Sequence, residues 1–143
     1  MRRSVMIIMA VIFALLTACG PAANSTTSVP VVGKQVSVAG GSYTDVSVAE
    51  LQSMLENKDF AFINVHIPFE GNIADTDLSI PYDQIDQNLD QLPDKDAKVV
   101  LYCRSGRMSA IAAETLVSQG YTNVWNLSGG MVAWEQAGLT IEQ

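Results

Sequence analysis

The clearest candidate for chemistry in this 143-residue chain is a cysteine that two arginines follow closely. Cys103 ends an apolar run over 99–102, and Arg104 and Arg107 both lie within the next four positions. From Met108 onward the apolar residues have helical spacing, so the cysteine lies just before a helix N-terminus. Free N–H groups at a helix start and neighbouring guanidinium groups both stabilise an anion. The pattern therefore predicts a nucleophilic thiolate at Cys103.

The elements around Cys103 decide where that thiol lies. An apolar run without alternation is typical of a strand buried on both faces of a parallel sheet. The carboxyl ends of such strands form the crevice in which α/β folds bind ligands. The helix that follows is predicted to end at Gly120 and has one apolar stripe, formed by Met108, Ile111, Ala112, Thr115 and Leu116. The simpler alternative makes Cys103 a small buried strand residue, but a structural strand end does not require two arginines, a serine and a glycine in succession.

Two motifs resemble those of the rhodanese-like sulfurtransferases. The segment 103–109, Cys-Arg-Ser-Gly-Arg-Met-Ser, is similar to the active-site loop of that family. The segment 127–134, followed by Gly138, resembles its carboxyl-terminal signature, and together the matches span about residues 46–140. The resemblance implies an α/β fold with a single rhodanese-like domain, in which helices cover both faces of a parallel sheet.

The same resemblance implies a mechanism. In the family this cysteine carries a persulfide, so Cys103 is expected to take sulfane sulfur from a small-molecule donor such as thiosulfate. A thiol or cyanide acceptor would then remove it. Backbone N–H groups after Cys103 would hold the anionic sulfur, and Arg107 is expected to contact an anionic donor more than Arg104 does. The expected substrate-binding residues are Arg104, Ser105, Gly106, Arg107, Met108 and Ser109.

The chain departs from the family near the end of an earlier strand. Many members have an aspartate and an arginine there, followed by a Gly-His-Ile turn. This chain has Asn64, His66 and Asn72 at the corresponding positions. We expect these side chains to support the site rather than attack the substrate, and the departures leave the choice of donor and acceptor open.

The amino terminus resembles a lipoprotein signal peptide. Arg2 and Arg3 precede an apolar run of signal-peptide length that is too short for a comfortable membrane span. The sequence Leu-Thr-Ala-Cys at 16–19 then resembles the lipobox of bacterial lipoproteins, whose cysteine carries a diacylglyceryl group and becomes the first residue. We expect a signal peptide over 1–18 and a lipidated Cys19, which would attach the chain to a membrane on the extracytoplasmic side of a bacterial cell envelope. An ordinary signal peptide or an uncleaved anchor is the alternative.

Composition limits the partners of the mature chain. Without Arg2 and Arg3, 6 basic side chains remain against 15 acidic ones, a net charge of −9. This excess of acid argues against nucleic acid and anionic lipid as partners. A lipidated Cys19 could not form a disulfide, so Cys103 would be a lone thiol. With one histidine and no cysteine cluster, neither a protein-ligated metal nor a cofactor is expected.

The remaining segments alternate between strand and helix. Residues 19–43 are small and mostly uncharged, which favours a flexible tether, with an edge strand within 29–38 as the alternative. Ser47 and Glu50 form a capping box that begins a short helix. The other expected elements are a strand over 60–65, a loop over 67–81, a helix over 82–92, a strand over 122–126 and a helix over 130–137. Their alternation predicts one α/β domain over 44–143.

Other functions use similar parts. Phosphatases and arsenate reductases also place a cysteine between a strand and a helix, but their loop needs an arginine at the position that Ser109 occupies here. A tethered rhodanese-like module that binds a partner, or carries sulfur without turnover, is a second alternative. His66 adds a Cys–His hydrolase pair as a third, although a lone histidine after a strand more often makes structural hydrogen bonds.

Overall fold

The computed structural model describes residues 29–143, in which strands alternate with helices. The strands are β1 (Lys34–Val38), β2 (Gly41–Val46), β3 (Ala61–Asn64), β4 (Leu78–Ser79), β5 (Val99–Tyr102) and β6 (Val124–Leu127). The α-helices are α1 (Val48–Leu55), α2 (Arg107–Ser118) and α3 (Gly130–Gln136), and two short 3-10 helices cover Tyr82–Gln87 and Leu89–Gln91. None of the helices between residues 29 and 143 is long and apolar enough to cross a bilayer.

The six strands form one sheet in the order β1-β2-β6-β5-β3-β4. β1 runs antiparallel to β2, and all the other pairs are parallel. β5 lies between β6 and β3, with Leu101 opposite Asn126 and Tyr102 opposite Asn64. Cys103 therefore follows an interior strand at the carboxyl edge of the parallel strands, which is where α/β folds bind ligands.

Each face of the sheet has its own core, because side chains alternate along the strands. Val99 and Leu101 pack in a cluster with α2 and the first 3-10 helix. Val100 and Tyr102 pack in a second cluster with α1 and α3. All four are buried, and a fully buried aliphatic side chain contributes about 1.5–3 kcal/mol to stability. Helices on both faces of a mostly parallel sheet confirm the expected fold class.

The expected tether is wrong from residue 34 onward. Lys34–Val38 forms β1, which pairs along its whole length with β2. A tight turn at Gly40, with φ +88°, makes this hairpin possible, and Val36 and Val38 pack against the core. The edge strand considered as the alternative is what the structure contains, and the folded part begins before residue 44. The expected signal peptide, Cys19 and the rest of the tether up to residue 28 lie outside the described residues.

The expected helix over 82–92 is also wrong. The segment instead forms two 3-10 helices separated at Asn88, whose φ of −125° is not helical. The Asn88 side-chain amide donates to the carbonyl oxygen of Gln84 at 2.8 Å, a local bond that competes with regular helix. Ile85 still points into the core, as its helical spacing predicted.

Candidate active site

Cys103 lies at the bottom of the loop between β5 and α2, and only 1% of its surface is exposed. Its Sγ accepts a hydrogen bond from the Gly106 backbone N–H at 3.1 Å. Ser109, which is fully buried, places its Oγ 3.4 Å from the same sulfur and 3.2 Å from the Gly106 carbonyl oxygen. The Gly106 N–H donates to the sulfur, and the Ser109 hydroxyl has one proton that the sulfur and the Gly106 carbonyl oxygen share. These donors stabilise negative charge on the sulfur.

The loop can make these contacts because Gly106 adopts a left-handed conformation, with φ +91°. Gly106 is the N-cap of α2, and no side chain caps this helix start. The first-turn N–H groups of α2 are thus left without a side-chain acceptor at the edge where the sulfur lies. Arg107, Met108 and Ser109 occupy that turn, so the partial positive charge of the helix N-terminus is next to Cys103.

The carboxyl-terminal motif holds the back of this loop. The Met131 N–H donates to the carbonyl oxygen of Cys103, and the Val132 N–H donates to that of Arg104, both at 2.9 Å. Gly130 lies so close that a Cβ atom at this position would collide with the Cys103 carbonyl oxygen. The motif thus fixes the path of the backbone at Cys103 and Arg104.

The two arginines of the loop have different surroundings. Arg104 Nη1 lies 3.2 Å from Glu70 Oε2 and 3.9 Å from Glu135 Oε2. Arg107 is exposed and lies within salt-bridge distance of no carboxylate among residues 29–143. Its guanidinium charge is therefore more available to an anionic ligand than that of Arg104.

The other residues predicted to bind substrate divide into two groups. Ser105 is exposed at the tip of the loop, and Gly106 and Ser109 face the sulfur. Met108 is half-buried and packs against the core on the α2 face of the sheet, so the structure gives its side chain a packing role.

The positions that depart from the family motif form a buried polar network. The Asn64 side-chain amide donates to the Gly71 carbonyl oxygen and to Asn72 Oδ1, while its Oδ1 accepts the His66 N–H. The Tyr102 hydroxyl contacts Asn72 Oδ1 at 3.2 Å and accepts a hydrogen bond from the backbone N–H of residue 73 at 3.0 Å. Burial raises the pKa of Tyr102 above its usual range. This network anchors the loop after β3 to the end of β5, and its support of the site stays a prediction.

His66 does not pair with the nucleophile. In residues 29–143 the hydrogen bonds to Cys103 Sγ come from Gly106 and Ser109. The His66 side chain is nine-tenths buried, and its Nε2 lies 3.4 Å from Glu70 Oε2. The geometry therefore offers no Cys–His hydrolase pair.

Sequence reasoning missed three contributors to the site: Glu70, Glu135 and Tyr102. The two glutamates lie far along the chain from Arg104, and no local spacing links them to it. Tyr102 carried a weak signal, since a hydroxyl at the end of a fully buried strand needs a hydrogen-bond partner.

Similarity to known proteins agrees with this geometry. The model of the rhodanese-like domain family matches residues 47–137. A sulfurtransferase of Allochromatium vinosum is 39% identical over 93 residues, which are 63% of this chain and 85% of the relative. The crystal structure of a rhodanese-like domain protein from Staphylococcus aureus has a TM-score of 0.58 at 32% identity and covers 69% of this chain and 98% of its own. A rhodanese-related protein from Thermoplasma volcanium has a TM-score of 0.59 at 28% identity, and the match covers 69% of this chain and 97% of the relative.

The chain thus belongs to the rhodanese-like domain family. Its sulfurtransferase relative supports sulfur transfer in general as its kind of activity. Sulfur transfer requires a donor and an acceptor of sulfur in general.

Proposed function

We propose that this protein is a sulfurtransferase that carries sulfane sulfur as a persulfide on Cys103. The observation that supports the proposal is the position of the Cys103 sulfur. Cys103 directly follows the interior strand β5, and its sulfur accepts hydrogen bonds from Gly106 and Ser109. Both donors face the sulfur that is negatively charged as the attacking thiolate and again after the acceptor has taken the outer sulfur, whereas in the persulfide between these steps the charge is on the outer sulfur.

The reaction has two steps. The Cys103 thiolate attacks the outer sulfur of thiosulfate, the sulfur–sulfur bond of the donor breaks, and sulfite leaves with the electron pair. The resulting Cys103 persulfide is then attacked at its outer sulfur by cyanide or by a thiolate. The Cys103 thiolate departs with the electron pair, and the product is thiocyanate or an acceptor persulfide. No outside oxidant or reductant is needed.

Arg107 is the residue that we propose for holding an anionic donor. It begins α2 next to the crevice, it is exposed, and its charge lies within salt-bridge distance of no carboxylate in the described part of the chain. A guanidinium group can donate two parallel hydrogen bonds to the oxygens of a sulfonate-like group.

Mass spectrometry of the purified protein after incubation with thiosulfate tests the proposal. The wild-type protein should gain the mass of one sulfur atom, and cyanide should remove it as thiocyanate. Cys103→Ser should fold, since the change preserves size, and should show neither effect because it lacks the polarizable nucleophile. A wild-type Cys103 that stays unmodified by several sulfane donors would overturn the proposal.

A second function is a sulfur carrier or binding module without turnover. The near-complete burial of Cys103 favours it, because a large acceptor could not reach the sulfur without movement of the loop. A persulfide that forms on Cys103 but is not consumed by cyanide or small thiols would identify this function.

We also propose that Cys19 is lipidated and that the chain is anchored to a membrane of a bacterial cell envelope, facing the extracytoplasmic side. The support is the motif at 16–19, in which the apolar run ends directly before the cysteine. In cell fractionation, Cys19→Ser should move the protein from the membrane to the soluble exported fraction. A wild-type protein that is already fully soluble would reject this anchor.

A further inference from the structure

Three charged or polar side chains, those of His66, Glu70 and Arg104, lie in a row beside the loop that follows Cys103. The charged groups on and around this loop, Arg104, Arg107, Glu70 and Glu135, are called the mouth of the site. Glu70 Oε2 lies 3.2 Å from Arg104 Nη1 and 3.4 Å from His66 Nε2. The same oxygen therefore has a partner on either side, and one of them, His66, is nine-tenths buried. Glu70 thus lies within ion-pair distance of Arg104, while His66 Nε2 makes no hydrogen bond within residues 29–143.

This arrangement changes the charge that a donor meets. Arg104 and Arg107 bring two positive charges to the loop, and Glu70 and Glu135 bring two negative charges within 4 Å of Arg104. The mouth is therefore close to neutral, in a protein whose total charge is −7. A dianion approaching Cys103 finds one available guanidinium group, that of Arg107, and a carboxylate on the other guanidinium group.

We infer that Glu70 is a specificity-determining residue, which masks Arg104 and thereby disfavours dianionic sulfur donors relative to donors with one negative charge. The inference rests on the proposed sulfurtransferase function and names the class of donor that its site selects. Because the contacts are exposed to solvent, the selection is modest and depends on ionic strength.

Two donors that differ in charge test the inference directly. Thiosulfate is a dianion, whereas methanethiosulfonate is a monoanion with the same kind of transferable outer sulfur. Glu70→Gln should raise kcat/KM for thiosulfate by about two- to five-fold. It should change kcat/KM for methanethiosulfonate much less, so the ratio between the two donors shifts. In about 1 M salt, where the Debye length is about 3 Å, most of the shift should disappear.

Glu56→Gln is the matched control. Glu56 is exposed and ends α1 at the opposite edge of the sheet, so the substitution changes the net charge by the same amount without changing the mouth. The ratio between the two donors should stay at its wild-type value in this variant. An equal shift in Glu56→Gln would show that total charge, and not Glu70, controls the preference.

A double-mutant cycle shows whether Glu70 acts through Arg104. If Glu70 masks Arg104, Arg104→Gln should lower kcat/KM for thiosulfate more in the Glu70→Gln background than in the wild-type protein. If the effects of the two substitutions on kcat/KM were purely additive, Glu70 would repel the donor directly, and the proposed masking of Arg104 would be wrong.

The inference and the proposed function fail in different ways. If wild-type Cys103 accepts sulfur from neither donor, the proposed function is wrong. If both donors are used and Glu70→Gln leaves their ratio unchanged, the function stands and the role of Glu70 is overturned. Glu70 is exposed, so the variant should fold, and its circular dichroism spectrum should match that of the wild type.

Discussion

The helices α1 and α2 begin in opposite ways, although both follow the carboxyl end of a parallel strand. At α1, the Ser47 hydroxyl accepts the Glu50 N–H, and the Glu50 carboxylate accepts the Ser47 N–H. At α2, Gly106 is the N-cap and no side chain closes the first turn. One helix start is satisfied by its own residues, whereas the other is left open toward the Cys103 sulfur. The difference teaches that a side-chain cap satisfies the first N–H groups of α1, whereas the uncapped start of α2 leaves its first N–H groups next to the Cys103 sulfur.

The start of α3 shows that a glycine alone does not make a site. Gly129 resembles Gly106 in its left-handed backbone and in the lack of a side-chain cap. The N–H groups that follow it, however, donate to the carbonyl oxygens of Cys103 and Arg104. They are therefore occupied by the neighbouring loop, and α3 supports the site without facing a ligand.

The largest expected effect is a loss of stability when the contact between the start of α3 and the backbone of Cys103 is disturbed. Gly130→Ala should lower the free energy of unfolding by at least about 3 kcal/mol, because the new Cβ combines positive-φ strain with a collision against the Cys103 carbonyl oxygen. Gly138→Ala is the control, since Gly138 also has positive φ but no atom lies within 4 Å of its added Cβ. Urea denaturation measures both. Equal losses would show that only backbone strain matters at Gly130.

The next largest effect is expected on the KM for thiosulfate, where the two arginines after Cys103 should differ. Arg107→Ala should raise the KM for thiosulfate about ten-fold, because a charge-assisted contact to the donor is worth about 1.5 kcal/mol or more. Arg104→Ala should raise it less, since Glu70 and Glu135 already neutralise that guanidinium group. Steady-state kinetics compare the two variants. A larger effect at Arg104 would reverse the assignment.

A smaller effect is expected at the hydroxyl that faces the sulfur. Ser109→Ala should slow both sulfur transfer and alkylation of Cys103 at fixed pH, since one hydrogen bond to the anion is lost, worth about 0.5–1.5 kcal/mol. Ser105→Ala is the matched control, because Ser105 lies in the same loop but is exposed. Alkylation rates that fall equally in both variants would place the effect in the loop as a whole.

The smallest effect concerns the closed helix start. Backbone N–H groups of Ser47 and Gly33 donate to the Glu50 carboxylate and lower its pKa from 4.5 to about 2. Since this pKa is depressed in the folded state, Glu50 stabilises the fold above about pH 4.5, and that contribution is lost as pH falls toward 2. Glu50→Gln should therefore cost less than about 1 kcal/mol at neutral pH, given its exposure to solvent.

Thermal unfolding between pH 2 and pH 7 measures this contribution. The dependence of stability on pH should be flatter in Glu50→Gln than in the wild-type protein. Glu56→Gln, which makes the same change of net charge at the other end of the helix, is the control that is compared with the wild-type slope. If Glu50→Gln kept that slope, the cap would not be the source of the pH dependence.

Local patterns in the sequence predicted the parts of this molecule that local forces determine. The apolar run before Cys103, the helical spacing after it and the capping box at Ser47 each predicted an element that the structure contains. The predicted stripe on α2 was wrong in part, because Ile111 is exposed and Ser109, Ala113 and Val117 are buried with Ala112 and Leu116. The ion pairs of Arg104 could not be predicted in this way, because Glu70 and Glu135 approach it only after the sheet has formed. β1 was expected only as the alternative to a tether for a similar reason, since its pairing with β2, more than its own composition, makes it a strand.

The burial of Cys103 has a consequence for how the protein withstands oxidation. A disulfide between two copies through Cys103 would need the sulfur atoms about 2.05 Å apart. Each sulfur belongs to a residue that is 99% covered by its own chain, so two such sulfur atoms could meet only if the loop moved in both copies. Covalent dimers through this thiol should therefore be slow to form, even at high protein concentration.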